Sequence, residues 1–302
     1  VQAVVFDEFG GPEVLRTREL DVPRPGPGQV RIAVRAAGVN PMDYKIRRGW
    51  MEGMLATSFP AVPGLELAGV VDEVGEGAEF AVGDEVVGWA ATGSYAEYAL
   101  AGNVVRKPAE VDWQQAAGLP AVGETAQRVL RELGLKSGET LLLHGAAGGV
   151  GAVATQLAVA LGATVIGTAS PANHDYLRSL GATPVEYGDG LVDRVRKVAP
   201  QGIDAVYDTA GQGALPDSIE LRGGTDRIVT IADMAGGELG VAVSYGGTPP
   251  EVSAAGLTEQ LQLIADGKLS VRIADTFALA DAAKAQELSE SGHAKGKLII
   301  VP

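Results

Sequence analysis

Residues 144–158 read HGAAGGVGAVATQLA, with glycines at Gly145, Gly148, Gly149 and Gly151 and small or apolar residues after them. The five residues before the cluster, TLLLH at 140–144, read as a buried strand. The residues after it present Val150, Val153, Leu157 and Leu161 at helical spacing, and a second β-rich run begins at Thr164. Strand, glycine turn, helix and strand in this order form the opening unit of a dinucleotide-binding sheet. There the glycines make a tight turn and admit a pyrophosphate to the N–H groups that open the helix. The G-x-G-x-x-G frame falls on Ala146 to Gly151, with alanine in the first glycine's place, which a negative φ at Ala146 would allow. Ala147, Gly148, Gly149 and Val150 are therefore candidate cofactor contacts. A glycine-rich loop with no ligand is the alternative, and the flanking elements weigh against it.

Sites for NAD usually place an Asp or Glu at the end of the second strand, to hold the adenosine ribose. Here that end reads Thr168-Ala169-Ser170-Pro171-Ala172-Asn173-His174, with no carboxylate before Asp175. Nothing there repels a 2′-phosphate, and Ser170, Asn173 and His174 can donate hydrogen bonds to one. The pattern favours NADPH over NADH. His174 also fits a solvated position at a helix start.

Beyond this unit, alternation continues through strands at 164–169, 184–187, 203–210, 227–232 and 240–245, with helices at 150–161, 172–180, 190–198 and 214–221. Near-continuous apolar strands between amphipathic helices predict a parallel, doubly wound Rossmann sheet. A helical stretch over 113–133 leads into it. The preceding residues differ: short β-rich runs at 1–6, 30–37, 67–75, 84–89 and 95–100, separated by turns such as Pro25-Gly26-Pro27-Gly28, predict a curled β unit. After helices at 256–266 and 280–291, the closing KLIIVP reads as a strand that returns to that first unit. The expected division is a β-rich domain of 1–112 with 271–302, and a cofactor domain of 113–270. The fold class is α/β.

With 302 residues, 46% hydrophobic and 21% charged, the chain is sized for two globular domains. A net charge of −14 argues against nucleic acid and anionic membranes as partners. No apolar run approaches a membrane span, and the start lacks the pattern of a signal peptide, so a cytoplasmic protein is expected. Without cysteine, and with His144, His174 and His293 far apart, a structural zinc site is not expected.

The segments AGVNPMDYK (37–45), PGLELAGVVDEVGEGAEFAVGDEVVG (63–88), GSYAEYA (93–99), LPAVGETA (119–126), HGAAGGVG (144–151), SLGAT (179–183), VYDTAG (206–211) and SGHAKGKLIIV (291–301) resemble one family across the whole chain. It is the zinc-free quinone oxidoreductases and 2-alkenal reductases of the medium-chain dehydrogenase/reductase superfamily. The resemblance implies a GroES-like catalytic domain, a Rossmann domain that binds NADPH, and a homodimer paired through the strand at 240–245. Zinc-dependent relatives have a cysteine ligand where this chain has Asn40 and a histidine ligand where it has Leu65. No metal is expected.

Hydride transfer to a quinone, or to the C=C bond of an enone or 2-alkenal, needs no Lewis acid, because the substrate's carbonyl activates it. In the alkenal-reductase branch, the N-P-x-D-x-K lysine lies beside nicotinamide and substrate; here it is Lys45. Lys45, then Tyr44, are the catalytic candidates, although a solvated loop lysine is also consistent with the sequence. Asn40 and Asp43 are expected to shape a loop, with Asn40 also a candidate nicotinamide contact. The resemblance likewise marks Thr125 near the nicotinamide and Tyr187 near the adenosine phosphate. A Thr125 hydroxyl turned to its own helix is the other reading. Thr209 and Ala210 end the fourth strand, where such sheets bind ligands. Glu66 and His144 read as structural, and Lys297 as either. Trp50, Met51, Met54, Phe59 and Pro60 would line the approach to the substrate or pack internally. An enoyl reductase tailoring a secondary metabolite and a non-catalytic NADPH-binding accessory protein are the alternatives.

Overall fold

The computed structural model describes all 302 residues. From the start run β1 (Gln2–Val5), β2 (Arg16–Glu19), β3 (Val30–Val39), α1 (Pro41–Arg47), β4 (Glu66–Val74), β5 (Glu85–Ala90), β6 (Tyr98–Arg106) and α2 (Trp113–Gly118). There follow α3 (Pro120–Glu132), β7 (Thr140–His144), α4 (Gly149–Leu161), β8 (Thr164–Thr168), α5 (His174–Ser179), β9 (Thr183–Val185), α6 (Leu191–Val198) and β10 (Ala205–Asp208). The chain closes with α7 (Leu215–Arg222), β11 (Ile228–Thr230), β12 (Ala242–Val243), α8 (Pro250–Ala265), β13 (Ile273–Ala278), α9 (Ala282–Glu290) and β14 (Lys297–Val301). No helix is long and apolar enough to cross a membrane.

Two compact units result, Val1–Ala121 with Pro250–Pro302, and Val122–Pro249. The sequence reading placed 113–121 and 250–270 with the cofactor sheet; they belong to the first unit. Their packing explains the shift, since α2 buries Ala116, Ala117 and Gly118 and packs on β3 and β4, and α8 packs on β6.

In the first unit β3 is the central strand. One edge pairs antiparallel with β4. The other is shared, Val30–Ala33 pairing with β6 and Ala37–Val39 with β14, so β3 to β6 curl closed. β14 also pairs parallel with β13, which returns the last strand to the first unit as expected. Val30, Ile32, Leu67, Val71, Val86, Leu298 and Ile300 lie in the core. The short ribbon of β1 and β2 was not anticipated for its second strand, because RTRE is exposed throughout and shows no alternation.

The second unit has a six-stranded parallel sheet in the order β12-β11-β10-β7-β8-β9, the Rossmann order with its reversal between β7 and β10. Leu142, Ile166 and Val206 lie in its core. The predicted strands are present but shorter, most of all at 240–245, where only Ala242–Val243 pair. The helical stretch at 113–133 is two helices that meet at Leu119, which keeps helical φ/ψ, and Pro120, which opens the second, has no N–H to continue the ladder of the first. α8 begins six residues before its predicted start, at Pro250, a favoured first-turn residue.

Candidate active site

Each candidate cofactor residue of the second unit that follows a strand lies beyond the C-terminal end of β7, β8, β9 or β10. The tight turn after β7 is made by Gly145, at φ 71°. Ala146 lies one residue beyond it, fully buried, and a Cβ built on Gly167 of β8 would come 2.8 Å from the Ala146 Cβ. Alanine at the head of the frame is therefore no impediment, and it demands a glycine in the neighbouring strand. Gly148 is the N-cap of α4 and makes no side-chain cap to the first N–H groups of this thirteen-residue helix. A Cβ on Gly151 would lie 2.2 Å from the Gly145 carbonyl oxygen, so only glycine lets the helix approach its turn this closely.

Thr209 is fixed across the reversal, its Oγ1 donating to the His144 carbonyl at 2.7 Å. Asp208 accepts the N–H groups of Ala210 and Gly211 at 3.0 and 3.1 Å and the Thr230 hydroxyl at 2.7 Å. This sets the turn that presents Thr209 and Ala210. Ser170, Asn173 and His174 cluster after β8, with Asn173 Nδ2 donating to Ser170 Oγ at 3.1 Å and His174 Nε2 lying 3.2 Å from the Ala169 carbonyl. Tyr187 stands 51% exposed after β9. Its loop is gripped by Arg194, whose guanidinium donates to the carbonyls of Glu186, Tyr187, Gly188 and Asp189 at 2.9, 3.2, 3.0 and 2.7 Å. Thr125 sits within α3, with its carbonyl accepting Tyr207 Oη–H at 3.2 Å.

Behind the glycine turn His144 is buried, and burial lowers its pKa to about 4, against the field of Asp208. Ser218 spends its proton on the Ala214 carbonyl at 2.6 Å, so the 2.8 Å contact to His144 Nε2 carries the imidazole N–H. Nδ1 then accepts from Thr168 Oγ1 at 3.3 Å. A neutral imidazole ties β7 to β8 and α7, in keeping with the structural reading of His144.

In the first unit Asp43, Tyr44 and Lys45 lie on a helix headed by Asn40, where the sequence reading expected Asn40 and Asp43 to shape a loop. Asn40 caps α1, Pro41 occupies its first position, and Asp43 Oδ2 accepts the Asn40 N–H at 2.8 Å. Asn-Pro-x-Asp is a helix-start signal, and this reciprocal cap forms the helix. Lys45 is half-buried in its last turn, and Tyr44 meets Trp50 edge-on at 6.2 Å between ring centroids. Burial raises the Tyr44 pKa, with the nearby Glu290 adding to the effect, so its phenol stays a donor. Buried Arg47 anchors the helix to α9, donating to Gln286 Oε1 at 2.7 Å and Glu290 Oε2 at 2.8 Å. Trp50, Met54 and Phe59 beyond α1 are exposed, and Phe59 meets Phe6 and Phe9 edge-on.

The Asn40 amide is held from both sides, accepting from Lys297 Nζ at 2.7 Å and donating to Glu66 Oε1 at 2.8 Å. Lys297 and Glu66 are 2.6 Å apart, and Glu66 Oε2 accepts the Ala121 N–H at 2.7 Å. Sequence reasoning left Lys297 undecided because 231 residues separate the pair. No three His, Cys, Asp or Glu side chains cluster as a metal site, and an ammonium group fills the space beside Asn40 and Glu66, so this donor set does not fit a catalytic zinc.

Residues 26–109 match the alcohol dehydrogenase GroES-like domain, and residues 180–300 match the family described as zinc-binding dehydrogenase. The quinone oxidoreductase of Pseudomonas aeruginosa is 34% identical, over 99% of this chain and 99% of its own. This chain belongs to the quinone oxidoreductases of the medium-chain dehydrogenase/reductase superfamily. The quinone oxidoreductase of Sus scrofa is 33% identical over 100% of this chain and 98% of its own. The crystal structure of Escherichia coli quinone oxidoreductase complexed with NADPH superposes with a TM-score of 0.89, at 28% identity over all of both chains. The family members establish an oxidoreductase that uses a nicotinamide cofactor and acts on a small molecule.

Proposed function

We propose that the chain is a cytoplasmic, NADPH-dependent, zinc-independent reductase of quinones and of the C=C bond of enones or 2-alkenals. The observation that carries this reading is the acid-free cluster of Ser170, Asn173 and His174 after β8, the strand paired with the β7 whose turn leads to the uncapped start of α4. The helix start fits a pyrophosphate and the cluster fits a 2′-phosphate, which an Asp or Glu there would repel. When bound, the nicotinamide supplies the hydride. The backbone of Ala147, Gly148, Gly149 and Val150 holds the pyrophosphate, with Thr209 and Ala210 on the far side of the reversal. Tyr187 takes the adenosine phosphate end, and Asn40 and Thr125 serve the nicotinamide end.

Reducing a quinone or an enone leaves negative charge on a substrate oxygen. Lys45 donates a hydrogen bond to that oxygen and lowers the barrier, with Tyr44 as the second donor. Water completes the reaction by adding a proton. The ammonium beside Asn40 and Glu66 supports a route without metal. The free edge of β12, with Tyr245 exposed just beyond it, supports a homodimer built by edge pairing.

Oxidation of NADPH and of NADH, followed by absorbance in EDTA with phenanthrenequinone and separately with a short 2-alkenal, tests the reading. Metal-independent turnover with preference for NADPH is expected. Tight NADPH binding without turnover on a broad panel of quinones and enones would refute the catalytic role, and light scattering showing a monomer would remove the dimer.

A further inference from the structure

Lys297 is 4% exposed and Glu66 is fully buried. Every proton of the Lys297 ammonium is used, by Glu66 Oε1 at 2.6 Å, Asn40 Oδ1 at 2.7 Å and the Val39 carbonyl at 3.0 Å. The backbone is shaped around this arrangement. A Cβ on Gly38 of β3 would fall 2.1 Å from Glu66 Oε1, so glycine there makes room for the carboxylate. Desolvating two charges costs roughly what their attraction returns, so such a pair adds little stability over apolar side chains of the same size. What it adds is direction. An ammonium with three fixed acceptors admits one orientation of the Asn40 amide, and Asn40 is the residue from which α1 starts.

We propose that Lys297 is a positioning residue for the reaction. Through Asn40 and Glu66, its ammonium holds the first turn of α1 and so sets where Tyr44 and Lys45 stand. The inference rests on the reductase reading for its kinetic consequence but not for its structural one. Lys297 touches no substrate; it acts on a helix whose other anchor is Arg47 on α9.

Two measurements on the full chain test it together. In Lys297→Met, amide hydrogen exchange across residues 40–47 is expected to accelerate about tenfold or more, while the strands of the Rossmann sheet exchange as in the wild type. With phenanthrenequinone, kcat is expected to fall about tenfold or more, with the KM for NADPH within about twofold of wild type. Lys297→Met leaves Glu66 without its partner, so the double variant Lys297→Met/Glu66→Gln, which buries no charge, is measured beside it. The same two changes are expected there. Unchanged exchange across 40–47, an unchanged kcat, or a rise in the KM for NADPH alone would each overturn the proposal. Full recovery of kcat in the double variant would also overturn it, because the ammonium would then only neutralise Glu66. If the wild-type chain reduces neither quinones nor enones, the reductase reading fails by itself, and the exchange measurement still decides whether Lys297 holds α1.

Discussion

Tyr95 donates its phenolic proton to Asp43 Oδ2 at 2.9 Å, while Asp43 Oδ1 is buried without a hydrogen-bond partner. Burial pushes the Asp43 pKa from 3.8 up to about 7, against the Asn40 N–H, the Tyr95 hydroxyl and the field of Lys297, with Glu66 adding to the rise. The folded protein therefore holds this proton at pH values where the unfolded chain has lost it, so the contribution of Asp43 to stability falls between about pH 4 and 7. Asp43→Asn cannot ionise. Thermal melts across this range should show the wild type losing ground to the variant, by at most about 1.4 kcal/mol per pH unit, with a constant difference at higher pH.

His144 carries the opposite sign. Its folded pKa, about 4, lies below the ordinary 6.5, so the unfolded chain takes up the proton first as pH falls. Its contribution is complete above pH 6.5 and is lost as pH drops towards 4. His144→Gln should flatten that acid-side loss, and at neutral pH should cost roughly 1–3 kcal/mol by disturbing the Ser218 and Thr168 contacts. Urea unfolding at several pH values reads both effects.

The glycine turn gives a contrast between near neighbours. A Cβ at Gly151 meets the Gly145 carbonyl oxygen at 2.2 Å, whereas one at Gly148 lies 3.3 Å from the same atom. Gly151→Ala should weaken NADPH binding about tenfold or more, some 1.4 kcal/mol by calorimetric titration. Gly148→Ala should do much less.

Lys45→Met should lower kcat for quinone reduction roughly a hundredfold, as expected for loss of one donor to a developing oxyanion, and should leave the KM for NADPH nearly unchanged. Equal kcat values for the two proteins would remove Lys45 from the reaction.

Arg194→Ala frees the four carbonyls of residues 186–189 and the loop carrying Tyr187. The KM for NADPH should rise about three- to tenfold with kcat preserved, and steady-state kinetics at saturating quinone would show the split.

The sequence made the second unit legible because its signals are local. Leu141 to Leu143 mark a strand buried on both faces, and the glycines after them mark a turn and a helix start. One detail shifted, since Gly145 rather than Ala146 makes the turn. The first unit was harder. Asn40-Pro41-Met42-Asp43 carries a helix-start signal, but the same residue types shape loops, and no long apolar stripe follows to decide between them. The contact of Lys297 with Glu66 and Asn40 was beyond any local rule, being made by a sheet that brings β14 beside β3. The grouping of α2 and α8 with the first unit was hidden for the same reason, as both are set by tertiary packing.

That sheet also bears on how the molecule is made. β14 is the strand that joins β13 to β3, pairing Leu298 with Val39. A ribosome delivers all of Val122–Pro249 before it delivers β14, so the continuous unit can finish folding while the discontinuous one still lacks a strand and its buried cation. Nascent chains stalled short of Lys297 would carry an open β3 edge, a surface on which newly made copies can pair with each other or with a chaperone.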